Sequence, residues 1–185
     1  TSEAISHYKM AIKLNPSYAP TYNNLGIIMG AEGKTEEEIS LYKMAIKINP
    51  DVAEAHYNLG NILSLKGKIK EAISHYKMAI ELNPNYAQAH NNLGNILGAE
   101  GNNEEAISHH KMAIELNPDS AQAHNNLGIM LDAEGKTEEA ISQFKMAIEL
   151  NPDSAQAHNN LGFSLGAEGK TEEAILHFKM AVELK

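Results

Sequence analysis

The chain has 185 residues, 43% of them apolar, and a formal charge of −9 from 24 acidic residues against 15 lysines and no arginine. A surface that neutralises phosphates needs clustered Lys and Arg, so nucleic acid is disfavoured as a partner, and the absence of cysteine removes disulfides, thiolate chemistry and cysteine-based zinc sites. No apolar run approaches the ~18 residues of a membrane-crossing helix and no signal-peptide pattern opens the chain, which argues against membrane insertion and favours a cytoplasmic location.

Read from the start, Thr1-Ser2-Glu3-Ala4 matches Thr137-Glu138-Glu139-Ala140 and Thr171-Glu172-Glu173-Ala174, so residues 1–18 are expected to form a second helix, capped by Thr1, whose own first helix is absent. Its apolar residues Ile5, Tyr8 and Ile12 should then be exposed, and end-to-end contacts between molecules are predicted. From Ala19 a fixed unit takes over. Leu25, Leu59, Leu93, Leu127 and Leu161, each followed by Gly, recur every 34 positions, as do Pro16, Pro50, Pro84, Pro118 and Pro152. A period in this range marks stacked repeats. The boundaries are a half repeat at 1–18, full repeats at 19–52, 53–86, 87–120 and 121–154, and a last repeat at 155–185.

Apolar residues at three- and four-residue intervals, as in Leu59, Ile62, Leu63 and then Ala72, Ile73, Tyr76, Ala79, Ile80, give each unit two helices of roughly 12 to 14 residues. Asp51 with Glu54, Asn85 with Gln88, Asp119 with Gln122 and Asp153 with Gln156 have capping-box spacing and are predicted to open the first helices. Gly33, Gly67, Gly101, Gly135 and Gly169 stand where the chain reverses, and the Asn-Pro pairs end the second helices. Gly60 and Ala72 are expected to face each other at the helix crossing. Glu38 breaks the pattern of Ala72, Ala106, Ala140 and Ala174; the reading is that it would press on Gly26 and turns back to the Thr35 nitrogen as a capping box.

With Leu59-Gly60, Leu63, Gly67, Ala72, Tyr76, Ala79 and Pro84 in one unit, the chain resembles the tetratricopeptide repeat (TPR) family along its whole length, as a fragment of a longer array. One family mark departs: the aromatic near the start of the first helix is Tyr22 once, then His56, His90, His124 and His158. The resemblance implies an all-α, right-handed solenoid of stacked antiparallel helix pairs, whose first helices line a concave side that holds ligand peptides.

The candidate site is a row of amides on that side. Asn24, Asn58, Asn92, Asn126 and Asn160 share one position of the first helix, beside Asn23, Tyr57, Asn91, Asn125 and Asn159. A carboxamide both donates and accepts, so it can pair with a peptide backbone whatever the side chain. Packed helices stand about 10 Å apart, matching about three residues of extended chain. Asn61 and Asn95, with Ile27, Ile129 and Phe163 one turn on, are candidates for side-chain contacts. The competing reading is that these Asn only bridge adjacent first helices, because buried amides must be paired. Lysine is scarce on this surface, with Lys66 only at a helix end, so the terminal-carboxylate clamp of some family members is missing and an internal extended segment is the expected ligand.

The histidines that recur once per repeat should be too far apart to share a metal; packing or exposure is expected for them, and His109 and His110 should point in different directions. The Lys-Met pairs put Met10, Met44, Met78, Met112, Met146 and Met180 in a stripe, expected to be partly buried at the edge of the core, with an outer binding ridge as the alternative. No catalytic constellation, metal site or cofactor site is found. The function expected is therefore a non-enzymatic protein-interaction scaffold, the alternative being the substrate-recruiting region of a larger enzyme such as an O-linked GlcNAc transferase-like protein.

Overall fold

The computed structural model describes residues 2–184; the cap assigned to Thr1, and Lys185, lie outside them. Eleven α-helices and no strand occur among the described residues: α1 (Ser2–Leu14), α2 (Ala19–Ala31), α3 (Thr35–Ile48), α4 (Ala53–Leu65), α5 (Ile69–Leu82), α6 (Ala87–Ala99), α7 (Asn103–Leu116), α8 (Ala121–Ala133), α9 (Thr137–Leu150), α10 (Ala155–Ala167) and α11 (Thr171–Glu183). The first helix of every repeat begins where the 34-residue period places it, and the architecture is an all-α helical-repeat solenoid.

The connections explain why the hairpins close so regularly. Each first helix ends in a glycine with positive φ, between 71 and 82°, where a side chain would be strained. The next residue's N–H then reaches back six positions inclusive, as in Lys34 N to Met29 O at 2.9 Å and Lys136 N to Leu131 O at 2.9 Å, closing the last turn. That residue's carbonyl also accepts the first bond of the following helix, as from Glu38 N at 3.0 Å. The second helix is therefore capped by the backbone of Lys34, Lys68, Asn102, Lys136 or Lys170 without a side-chain bond, and Thr35, Thr137 and Thr171 are first helical residues rather than caps.

The capping boxes of the first helices are displaced as well. Val52, Ser120 and Ser154 occupy the N-cap, and Ser120 Oγ and Ser154 Oγ accept from the backbone nitrogens of Ala123 and Ala157 at 3.2 Å. The acidic or amide residue before them still belongs to the preceding turn: Asn49 Oδ1 accepts from Asp51 N at 3.0 Å and Asn83 Oδ1 from Asn85 N at 3.2 Å, a side-chain mimic of a turn. The Asn before proline leaves helical geometry, with φ −137 and ψ 105° at Asn49, as the proline requires.

Two compact units make up the chain, residues 1–89 and 90–185. In the first, α2 pairs with α3 and α4 with α5, α3 packs on α4, and the first helices α2 and α4 touch directly. Leu25, Met29, Tyr42, Leu59, Leu63 and Tyr76 are buried there. α1 packs on α2, which leaves Ile5, Tyr8 and Ile12 half-buried rather than exposed. In the second unit α8 pairs with α9 and α10 with α11, with α7 on α8, α9 on α10 and α8 touching α10. Its core joins Ile107, Leu127, Leu131, Ile141, Phe144, Leu161 and Leu165.

Small residues set the helix crossing, but with other partners than the sequence reading gave. Gly60 faces Tyr76, whose ring would lie 2.9 Å from a Cβ placed there, and Gly128 faces Phe144 at 2.6 Å. The alanines of the second helix meet a residue one turn later, as the Ala174 Cβ would lie 3.9 Å from a Cβ placed on Gly166. Glu38 is therefore opposite Gly30, not Gly26. Its Oε1 accepts from the Tyr42 hydroxyl at 3.1 Å, so it serves the next turn of its helix instead of returning to Thr35. Burial, followed by the Glu38 charge, raises the Tyr42 pKa above the ordinary tyrosine range.

Candidate peptide-binding face

The first helices carry two adjacent columns of asparagine, and the structure gives them different work. Asn23, Asn91 and Asn125 are buried, at 7, 8 and 6% exposure. The Asn one position further along the following repeat's first helix supplies their partner: Asn58 Nδ2 donates to Asn23 Oδ1 at 3.0 Å, Asn126 Nδ2 to Asn91 Oδ1 at 3.2 Å and Asn160 Nδ2 to Asn125 Oδ1 at 3.0 Å. These bonds fix each amide's orientation. They bridge neighbouring first helices, and a buried amide carbonyl is satisfied by them.

Asn91 and Asn125, named as candidates, therefore lie behind the surface and not on it. Asn58, Asn92, Asn126 and Asn160 are half-buried, so part of each carboxamide reaches the surface, and Asn24 is exposed. In Asn58, Asn126 and Asn160 the donor is used by the bridge, and the carbonyl oxygen takes no part in it. Asn159 is half-buried and lines an open groove of about 440 Å³ with Gln156, Phe178 and Val182. Asn61 is held from within, since its Oδ1 accepts from the Tyr76 hydroxyl at 2.7 Å, whereas Asn95 is exposed.

Tyr57 stands in an aromatic group that the sequence reading missed, its ring centroid 4.7 Å from that of Tyr86 and 6.1 Å from that of Tyr76. Ile27 and Phe163 are 49 and 63% exposed, and Ile129 is half-buried. Lys66 forms an ion pair with Glu36. Of the six methionines of the stripe, Met44, Met78, Met112, Met146 and Met180 keep between 37 and 41% of their surface, at the core's edge, whereas Met10 is more open at 54%.

The histidines have the most specific surroundings. His56, His124 and His158 each place Nε2 3.0 Å from the carbonyl of the proline six residues earlier. Tyr22 sends its hydroxyl to the Pro16 carbonyl at the same 3.0 Å, so the departure from the usual aromatic keeps the function of tying the first helix to the preceding turn. The Nδ1 atoms meet a second-helix residue 19 positions on: His75 at 3.0 Å, His109 at 3.0 Å, Gln143 at 2.7 Å and His177 at 2.9 Å. That constant separation was the legible signal, had the two helices of a hairpin been compared position by position.

Burial lowers the pKa of His56 against the raising effect of the Pro50 carbonyl. Burial and then the paired histidine lower His75 and His177. His110 does point away from His109: it occupies the place of Tyr76 and Phe144, opposite Gly94, with Nδ1 3.2 Å from Asn91 Oδ1. Its Nε2 is buried without a partner, and burial pushes its pKa down to about 4.

The sequence matches family models described as TPR repeat over residues 31–67 and 60–101 and as tetratricopeptide repeat over residues 85–153 and 144–176. No curated protein matches it. Among solved structures, it is similar to YrrB, described as a TPR protein with an unusual peptide-binding site, at 26% identity and a TM-score of 0.82 over 96% of this chain and 92% of that one. A MamA structure is 28% identical with a TM-score of 0.79, covering 86% of this chain and 94% of that one. PilF of Pseudomonas aeruginosa shares the fold at 23% identity, with a TM-score of 0.82 over 91% and 77% of the two chains. No helix among the described residues is long and apolar enough to cross a membrane.

Proposed function

Since the chain belongs to the tetratricopeptide repeat family and so has the architecture of a protein-interaction module, we propose that it binds an internal, extended peptide segment along its first helices, through Asn24 and Asn58 in the first unit and Asn92, Asn126 and Asn160 in the second. The observation that carries this reading is the bridge behind the row. By holding Nδ2 of Asn126 and Asn160, the buried Asn column turns the outer column into a line of oriented carbonyl acceptors, suited to successive backbone N–H groups of an extended chain. At about 10 Å between first helices, the row of the second unit matches about six ligand residues. Exposed Ile27, Asn95 and Phe163 flank the rows and add side-chain selectivity. The peptide-binding site named for YrrB is support by similarity. No catalytic role is assigned to any residue, in keeping with the scaffold role typical of the family.

The test is Asn92→Ala with Asn126→Ala, assayed by fluorescence polarisation against an array of unstructured dodecapeptides. Two lost hydrogen bonds of about 1 kcal/mol each predict a loss of affinity of roughly tenfold or more, with unchanged helicity by circular dichroism. Equal affinity in a folded variant would leave the outer column with the structural task alone. We further propose that the apolar face of α11, with Ile175 48% and Val182 70% exposed, causes self-association of this chain.

A further inference from the structure

The paired imidazoles carry an inference that peptide binding does not use. In the first unit His56 Nδ1 lies 3.0 Å from His75 Nδ1, with ring centroids 5.2 Å apart. In the second, His158 and His177 meet at 2.9 Å with the same centroid distance. Nitrogens this close between rings this far apart face each other nearly head-on. Because the rings face each other head-on, a metal on the line between the two nitrogens would lie only about 1.5 Å from each, short of the ~2.0 Å of a metal–imidazole bond, so the gap suits a proton.

The proton can be assigned. The Pro50 and Pro152 carbonyls, 3.0 Å from Nε2 of His56 and His158, only accept, so Nε2–H of each histidine donates and its Nδ1 is a lone pair in the neutral ring. His75 and His177 must then donate Nδ1–H across the gap. One further proton fits on the Nε2 of His75 or His177 and leaves the contact intact. A second would set Nδ1–H against Nδ1–H. The charged groups around the seams are Glu71 on α5 and Lys43 from α3 for the first, and Glu173 on α11 and Lys145 from α9 for the second. On His75 and His177 the acid favours the added proton and the lysine opposes it.

His90 and His109 form a third pair at 3.0 Å; for the two pairs whose protons are assigned above, His56–His75 and His158–His177, we propose that they count protons: each seam stays closed with one added proton and opens on the second, loosening the α4–α5 and α10–α11 hairpins in mildly acidic surroundings. The hairpin of α8 and α9 is built without this restriction, because Gln143 faces His124 Nδ1 at 2.7 Å and an amide can turn to present either N–H or oxygen.

Long-range proton–nitrogen spectra of the labelled protein at pH 7.5 are expected to show His56 and His158 as Nε2–H tautomers and His75 and His177 as Nδ1–H tautomers. Hydrogen exchange, corrected for intrinsic chemistry, should show the opening of both hairpins rising at least tenfold between pH 6.5 and 5.0. In H75Q/H177Q, which copies the His124–Gln143 arrangement, that rise should shrink to less than threefold while α8 and α9 are unaffected. The opposite tautomers, or double protonation of a pair with full protection retained, overturn the proposal. If the double variant does not fold, the wild-type tautomers and titration decide alone.

Discussion

At the scale of single residues the chain keeps one position and changes its chemistry. The place opposite the first-helix glycine is Tyr42, Tyr76, Phe144 and Phe178, but His110 in the third full repeat. Its Nε2 is buried and unpaired, a cost of about 1–3 kcal/mol. The folded form holds this ring neutral, with a pKa of about 4 against about 6.5 when unfolded. The unfolded chain therefore binds the proton first, and the stability present above pH 6.5 is lost as pH falls from about 6.5 towards 4, a loss on the order of 3 kcal/mol. His110→Tyr should remove that loss and stabilise the protein by about 1–2 kcal/mol at pH 7, its hydroxyl meeting Asn95 as the Tyr76 hydroxyl meets Asn61. Urea unfolding at pH 7 and pH 4.5 measures both effects; a variant less stable than wild type at pH 4.5 contradicts the account.

At the scale of elements, two glycines of the same hairpin carry different constraints and so different penalties. Gly135 has φ +74° with open space where a side chain would go, so Gly135→Ala costs about 1–2 kcal/mol of backbone strain and leaves the packing of α8 on α9 as it is. Gly128 has ordinary helical geometry, yet a Cβ there would lie 2.6 Å from the Phe144 ring, which is 1% exposed and has nowhere to go. Gly128→Ala is expected to cost about 1–3 kcal/mol through overpacking, and Phe144→Leu should recover part of it only in that variant. A double-mutant cycle in urea shows the coupling. The helices, their order and the glycine turns were legible because each rests on local chemistry. The caps were legible only to within a residue, since Asp51 and Thr35 have the right side chains but the backbone had already used the turn, through Asn49 and Lys34.

At the scale of the whole molecule, repetition makes the same surface buried in one place and bare in another. Ile107 and Ile141 are 8 and 7% exposed within the core that holds the next repeat's first helix, while the corresponding Ile175 is 48% exposed. Apolar surface of that kind drives association. Light scattering should show the apparent mass of the 185-residue chain rising with concentration, and I175K/V182K should hold it at the monomer value. A concentration-independent monomer in the wild type removes this proposal. The candidate site divides along the same line. The outer Asn column was found from spacing alone, but its separation from the buried column Asn23, Asn91 and Asn125 depends on which neighbour each amide meets across the seam between repeats.

What the sequence settled by itself was the object: a 34-residue period, helix pairs, glycine reversals and Asn-Pro stops are all set by interactions within a few residues, which short stretches of sequence spell out. Which way Glu38 turns, what Gly60 touches, and that His56 holds His75 and the Pro50 carbonyl at once were decided only by the tertiary structure. Those outcomes depend on rotamers chosen against neighbours between 4 and 19 positions away, where chain spacing fixes proximity but not direction.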